Sequence, residues 1–186
     1  DPKELYQYVR RELAFPHDLA GMKVLVTAGA TEEAIDPVRY ITNHSSGRMG
    51  YAVAEAAMLR GAEVTLVSGQ TALVPPPFVE RVPVVSAEDM FREVTARAPD
   101  MDFDVKAAAV ADYTPEETAD HKIKKADGEM AIRLRRTKDI LAFLGEHKPA
   151  GQLLCGFSME TENLLENSRG KLFRKNLDMI AANSLK

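Results

Sequence analysis

The chain has no tryptophan, a single cysteine, and aromatic residues at only 6% of its 186 positions. One thiol, Cys155, excludes an internal disulfide and any multi-cysteine zinc site. Such sparing use fits a reducing compartment, so a cytoplasmic location is expected. Few aromatics argue against a stacking platform for single-stranded nucleic acid. A net charge of −4 argues against a generally basic surface, so no nucleic-acid partner is expected. No apolar run approaches the roughly 18–20 residues that span a bilayer, so no membrane partner is expected. Several catalytic signatures are missing too. Neither Gly-x-Gly-x-x-Gly nor Gly-x-x-x-x-Gly-Lys-Ser/Thr occurs. There is no Gly-x-Ser-x-Gly elbow. His17, His44, His121 and His147 stand at no metal-ligand spacing, and no protein metal ligands are assigned.

What remains is the composition of one ordinary globular domain: 45% hydrophobic, 28% charged, 11 Gly and 10 Pro. Leu5, Tyr6, Val9 and Leu13 recur at helical spacing over Pro2–Leu13. From Met22 onward strands and helices alternate. Lys23–Thr27, Glu63–Val67, Val79–Val85, Asp104–Val110, Glu129–Leu134, Leu153–Phe157 and Leu177–Ala181 read as strands. The Glu129–Leu134 segment pairs Met130, Ile132 and Leu134 with charged neighbours, so one face is expected to be wet. Ser46–Gly61, Ser86–Ala98, Thr137–Glu146 and Glu162–Asn176 read as helices. Ser86 and Asp89 form a near capping box, and Thr137 is the expected cap of its helix. This order predicts a three-layer, Rossmann-like α/β fold. Its sheet is mainly parallel, with helices on both faces and a long loop and strand insertion. Two stretches carry no periodicity, Gly29–Ser45 and Ala111–Gly128, and long loops of this kind are often functional.

Several segments carry chemistry. Ser45, Ser46 and Gly47 open a long helix, where free backbone amides favour a phosphate and Arg48 adds charge. A serine-capped helix is the plain alternative. Lys106, Ala107, Ala108 and Ala109 end a strand with room for a flat ring, and Asp112 offers an acceptor. A small-residue strand packed under a helix is equally compatible. Lys122, Lys124 and Lys125 lie in a long loop that can close on a polyphosphate, or form a solvated face. Lys171 and Lys175 share one helix face. Glu32, Glu33 and Asp36 are possible acids, bases or magnesium ligands, although solvated loop carboxylates are commoner. Cys155, inside Leu153-Leu154-Cys155, reads as a core residue.

Read together, Val24-Leu25-Val26-Thr27-Ala28-Gly29-Ala30-Thr31-Glu32, Ile35-Asp36-Pro37-Val38-Arg39-Tyr40-Ile41-Thr42-Asn43-His44-Ser45-Ser46-Gly47, Ala107–Tyr113, Lys122–Lys125 and Arg174–Asp178 resemble the phosphopantothenoylcysteine synthetase family. In many bacteria that enzyme is the C-terminal half of a bifunctional protein. Residues 19–186 are then the synthetase domain, and residues 1–18 are a tail from a preceding decarboxylase domain whose FMN would belong to that other half. The resemblance implies CTP-dependent joining of 4′-phosphopantothenate to cysteine through an acyl-cytidylate, with Mg²⁺ carried by the triphosphate. It implies backbone contacts to the nucleotide from Lys106, Ala107 and Ala108, and a ribose or base contact from Asp112. Asp139 and Ile140 would border the nucleotide, Phe157 would lie against the cytosine, and Lys122, Lys171 and Lys175 would hold phosphates. Asn43 is matched to the residue that handles the acyl intermediate. Arg39, with Ser45, Ser46 and Gly47, would serve the phosphopantothenate side. Lys106 stands where small or apolar residues are usual in this family. A homodimer with a shared active site is implied as well. From the residues alone, a Rossmann-type oxidoreductase or a non-catalytic nucleotide-binding domain remain the competing readings.

Overall fold

A computed structural model describes residues 1–125, 127–160 and 162–184. In chain order its elements are α1 (Pro2–Leu13), β1 (Lys23–Ala28), β2 (Glu32–Ala34), β3 (Tyr40–Thr42), α2 (Arg48–Leu59), β4 (Glu63–Ser68), β5 (Val79–Pro83), α3 (Ala87–Arg97), β6 (Phe103–Lys106), β7 (Tyr113–Pro115), β8 (Leu134–Arg136), α4 (Ile140–His147), β9 (Leu153–Glu160), α5 (Leu164–Arg174) and β10 (Met179–Ser184). The central sheet runs β10-β9-β6-β1-β4-β5, with every pairing parallel. Counted along the chain, that is the doubly wound order 3-2-1-4-5-6. The order reverses between β1 and β6, which opens a crevice at their C-terminal ends.

The sheet follows from its strand sequences. Both faces are covered, so β1 and β4 are apolar almost throughout rather than alternating. Val24, Val26 and Ala28 point to one face, where they meet Tyr51, Ala54 and Met58 of α2. Leu25 points to the other, with Met90 and Val94 of α3 and Ile140, Leu141 and Leu144 of α4. Cys155 is buried in the first of these clusters, where burial pushes its thiol pKa up. Helix α3 opens on a full capping box, with Ser86 Oγ accepting from Asp89 N and Asp89 accepting from Ser86 N.

Several expectations are corrected. Both unpatterned stretches hold short hairpins: β2 pairs antiparallel with β3, and β7 with β8. Residue 126 of the second stretch lies outside the described residues. The strand expected over Glu129–Leu134 begins only at Leu134. Among the described residues no strand pairs with residues 129–133, and Met130, Ala131, Ile132 and Arg133 line a groove with Ile35 instead. The strand expected over Asp104–Val110 stops at Lys106, because the backbone beyond it is taken by side-chain hydroxyls and by the turn after β1. Asp139, not Thr137, caps α4, accepting from Ala142 N at 3.0 Å, while the Thr137 hydroxyl donates to Ala111 O at 2.6 Å. Helix α2 begins at Arg48 rather than Ser46. Its cap is Gly47 at φ 76, a left-handed conformation open to glycine, and no side chain caps it. β10 starts at Met179 rather than Leu177, whose amide instead closes back on Leu172 O.

Candidate active site

The crevice beside β6 contains a cavity of about 270 Å³. One wall is the segment after β6, with Ala108, Val110, Ala111 and Asp112. The opening of α4 supplies Asp139 and Ile140, β9 supplies Phe157, and α5 supplies Lys171 and Lys175. Lys106 lies in the wall as well. The sequence-derived nucleotide residues Lys106, Ala108, Asp112, Asp139, Ile140, Phe157, Lys171 and Lys175 are thus brought together. Ala107 adjoins this wall without lining it, and Lys122 lies elsewhere.

The cavity is shaped by long-range hydrogen bonds. Thr27 Oγ1 accepts from Ala108 N at 3.1 Å, and Thr31 Oγ1 accepts from Ala111 N at 3.0 Å. Both threonines are fully buried. They pin the alanine segment against β1, and Thr137 pins it from the other side. Lys171 Nζ donates to Phe157 O at 2.7 Å, which ties α5 to β9. Lys175 Nζ reaches both Asp139 oxygens, at 3.0 and 2.7 Å. Burial raises the Asp139 pKa, but Lys175, the Ala142 amide and Lys171 outweigh it and leave the pKa lowered. The Lys175 carbonyl approaches α4 so closely that any side chain at Gly145 would strike it. Sequence reasoning missed Thr27, Met90, Arg136 and Lys138 at this cavity, and Thr31 as the residue that pins its wall. A threonine inside an otherwise apolar strand was the one available signal.

Beneath the cavity lie two further ionisable groups. Asp104 is wholly buried and Lys106 is 9% exposed. Neither Asp104 oxygen nor Lys106 Nζ has a hydrogen-bond partner. Burial raises the carboxyl pKa of Asp104 and lowers the amine pKa of Lys106, and each group partly offsets the shift of the other.

A second region lies on the β2–β3 hairpin. Asp36 and Glu33 are buried, not solvated. Glu33 Oε1 accepts from Ala87 N at 2.8 Å, so it caps the start of α3. Asp36 accepts from Val38 N, Arg39 N and the Arg39 guanidinium, at 2.5 to 3.0 Å. It also accepts from Ile123 N at 3.1 Å, and Arg39 donates to Ile123 O at 3.0 Å. One carboxylate and one guanidinium therefore clasp both backbone groups of the residue next to Lys122. The Arg39 guanidinium, with the amides of Val38, Ile123 and Arg39, holds the Asp36 carboxyl far below the usual carboxylate range despite burial. Arg39, Lys122, Lys124 and Lys125 line an open cationic pocket of about 750 Å³. Asn43 Nδ2 donates to the carbonyl of Val110, a cavity-wall residue, at 3.1 Å. Ser45 Oγ and Ser46 Oγ accept from Gly47 N and Arg48 N at the start of α2. Among the described residues, no three His, Cys, Asp or Glu side chains gather as metal ligands. No helix among them is long and apolar enough to cross a membrane.

A doubly wound sheet with a polar cavity at its switch point defines a class of α/β proteins that bind their ligands at the carboxyl ends of the strands. Residues 19–186 match the model of the DNA/pantothenate metabolism flavoprotein C-terminal domain. The chain belongs to that family. It is 44% identical over 185 residues to the coenzyme A biosynthesis bifunctional protein CoaBC of Haemophilus influenzae. It is 51% identical over 169 residues to the Bacillus subtilis protein of the same name. Those matches cover 100% and 90% of this chain, but only 46% and 41% of the relatives, less than half their length. The crystal structure of the C-terminal domain of a CoaBC protein superposes with a TM-score of 0.80 at 51% identity, covering 89% of this chain and 78% of that one.

Proposed function

We propose that the chain is the ligase part of a coenzyme A biosynthesis enzyme, joining 4′-phosphopantothenate to cysteine at the expense of CTP. The observation that carries this reading is the gathering of Asp112, Asp139, Phe157, Lys171 and Lys175 around one cavity in a chain of this family. The carboxylate of phosphopantothenate attacks the α-phosphorus of CTP and displaces pyrophosphate, giving an acyl-cytidylate. The cysteine amine then attacks the acyl carbon, CMP leaves, and an amide remains. The protein supplies no nucleophile; positioning and charge compensation carry the rate. Lys171 and Lys175 neutralise phosphates at the cavity mouth. Asn43 sets an amide donor beside the acyl group. Arg39, with Ser45, Ser46 and Gly47, binds the phosphopantothenate side. Lys122 swings onto the triphosphate from the clasped loop, completing the site in a homodimer.

Mg²⁺ fits as a companion of the triphosphate, because it keeps its waters and needs only one or two carboxylates beside substrate phosphates. Asp112 is the carboxylate in the wall that is free of the Lys175 pairing seen at Asp139. When bound, the ion spreads the negative charge of the leaving pyrophosphate. The place of the relatives in coenzyme A biosynthesis supports a cytoplasmic enzyme. Residues 1–18, with α1, serve as the connection to a decarboxylase domain that carries FMN.

The test is turnover of the purified chain with CTP, Mg²⁺, 4′-phosphopantothenate and cysteine, followed by pyrophosphate and CMP release. One of each per amide formed is expected. A folded, dimeric protein that cleaves no nucleoside triphosphate would contradict the reading.

A further inference from the structure

Lys106 closes β6 with its side chain nine-tenths buried in the wall of the cavity, yet its amine meets no hydrogen-bond acceptor. The sheet does not supply one. In register, Lys106 lies between Thr27 of β1 and Gly156 of β9. The Thr27 hydroxyl is committed to the Ala108 amide. Gly156 has no side chain, and one would strike Leu141 and Leu177 at 2.9 Å. Asp104, two residues back and therefore on the same face of the sheet, supplies charge without a hydrogen bond. A buried donor left unpaired in a pocket wall is unfavourable, and a bound ligand is what relieves it.

The surroundings decide which part of a nucleotide that is. Ala108, Met90, Ile140 and Leu141 make this end of the cavity apolar. Phosphates need several cations, and two half-buried ones, Lys171 and Lys175, stand on α5 at this cavity. Lys106 is a single amine, and the Asp104 carboxylate beside it would repel an anion. A neutral acceptor suits this pair better. We infer that the Lys106 amine donates to a ring carbonyl oxygen on the buried edge of the base, which makes Lys106 a specificity-determining residue that selects a pyrimidine nucleotide. Adenine carries no carbonyl oxygen and offers the amine only weaker-placed ring nitrogens. This rests on the nucleotide site proposed above and assigns a role to a side chain where only backbone contacts were expected.

The experiment is calorimetric binding of CTP, UTP and ATP, each with Mg²⁺, to the wild-type chain and to Lys106→Met and Lys106→Gln, with circular dichroism to confirm folding. The wild type is expected to bind CTP and UTP more tightly than ATP. Lys106→Met loses roughly tenfold or more in affinity for both pyrimidine nucleotides and changes little for ATP. Lys106→Gln retains a donor and falls between the two. A folded Lys106→Met with an unchanged pyrimidine-to-ATP ratio overturns the inference. If that variant fails to fold, the double variant Asp104→Leu, Lys106→Met removes the uncompensated carboxylate and is judged by the same ratio. A wild type that binds CTP selectively but releases no pyrophosphate contradicts the ligase reading and leaves this one standing. A wild type that ligates while the ratio stays fixed in the variants contradicts this one alone. A wild type that binds no nucleotide overturns both.

Discussion

The cavity beside β6 and the hairpin–lysine region are held in different ways. The cavity stands on the ends of β6 and β9, on the cap of α4 and on two lysines of α5, each with a further partner in the sheet or helices. The lysine loop is joined to its hairpin by the Asp36–Arg39 clasp on Ile123 and by two bonds from residues 118 and 119 to the β2 side. A site built on rigid elements holds its ligand in one geometry. A loop closed by a few contacts can open and close over substrate. Under the proposed function, the difference gives binding to the cavity and commitment to chemistry to the loop.

Breaking the clasp is expected to give the largest effect. Asp36→Ala releases Ile123 and Lys122, and the ligation rate falls by roughly a hundredfold, as misplacement of a reacting group can cost. CTP affinity stays close to that of the wild type. Parallel calorimetry and turnover check this split, and a matching loss of CTP affinity would erase the distinction between the two regions. The pH dependence has a definite sign. The folded pKa of Asp36 lies below the ordinary 3.8, so its stabilising contribution is complete above that value and is lost only as pH falls below it. The stability gap between wild type and Asp36→Ala should therefore be flat from about pH 5 to 8 and narrow in stronger acid, as read from urea denaturation.

Weakening the cavity comes next. Lys171→Ala and Lys175→Ala each remove a cation from the mouth, and CTP affinity is expected to drop by roughly tenfold. An unchanged dissociation constant in both would move the phosphates elsewhere. Gly145→Ala forces a methyl group against the Lys175 carbonyl. It should destabilise the fold by about 1–3 kcal/mol and weaken CTP binding as Lys175 shifts, while the lysine loop is untouched. The smallest effect is expected at Ser86→Ala. That change removes one side of the α3 capping box and costs about 1 kcal/mol by denaturation, with no change in either region's function.

The two regions also differ in how far the sequence reveals them. Strand β1 is a β-branched run bounded by glycine, and the alternation of strands with helices sets Lys106 and Asp112 at the C-terminal end of a strand, whereas the resemblance, not the periodicity, set Phe157 beside them. The Ser86–Asp89 cap was readable for the same reason, because both partners lie within one turn. The hairpins β2–β3 and β7–β8 have three residues per strand, too few for a period to show. Alternation over Glu129–Leu134 predicts a half-wet strand, but Met130 and Leu134 are exposed and only Leu134 enters a strand, because alternation does not tell whether a strand lies alongside. The hydroxyls of Thr27 and Thr31 act on amides 81 and 80 residues away, a pairing that no local pattern encodes. Glu33 and Asp36 look like solvated loop carboxylates until the fold buries them against Ala87 N and Ile123 N. The separation of Lys122 from Lys171 and Lys175 is likewise set by where the loop is clasped.

Hydrogen–deuterium exchange of the chain with and without CTP and Mg²⁺, in the absence of phosphopantothenate and cysteine, tests the division most directly. The account predicts protection of the segments around residues 108–112, 139–143 and 171–175, with little change across the β2–β3 hairpin. Protection confined to that hairpin and to the opening of α2 would contradict it.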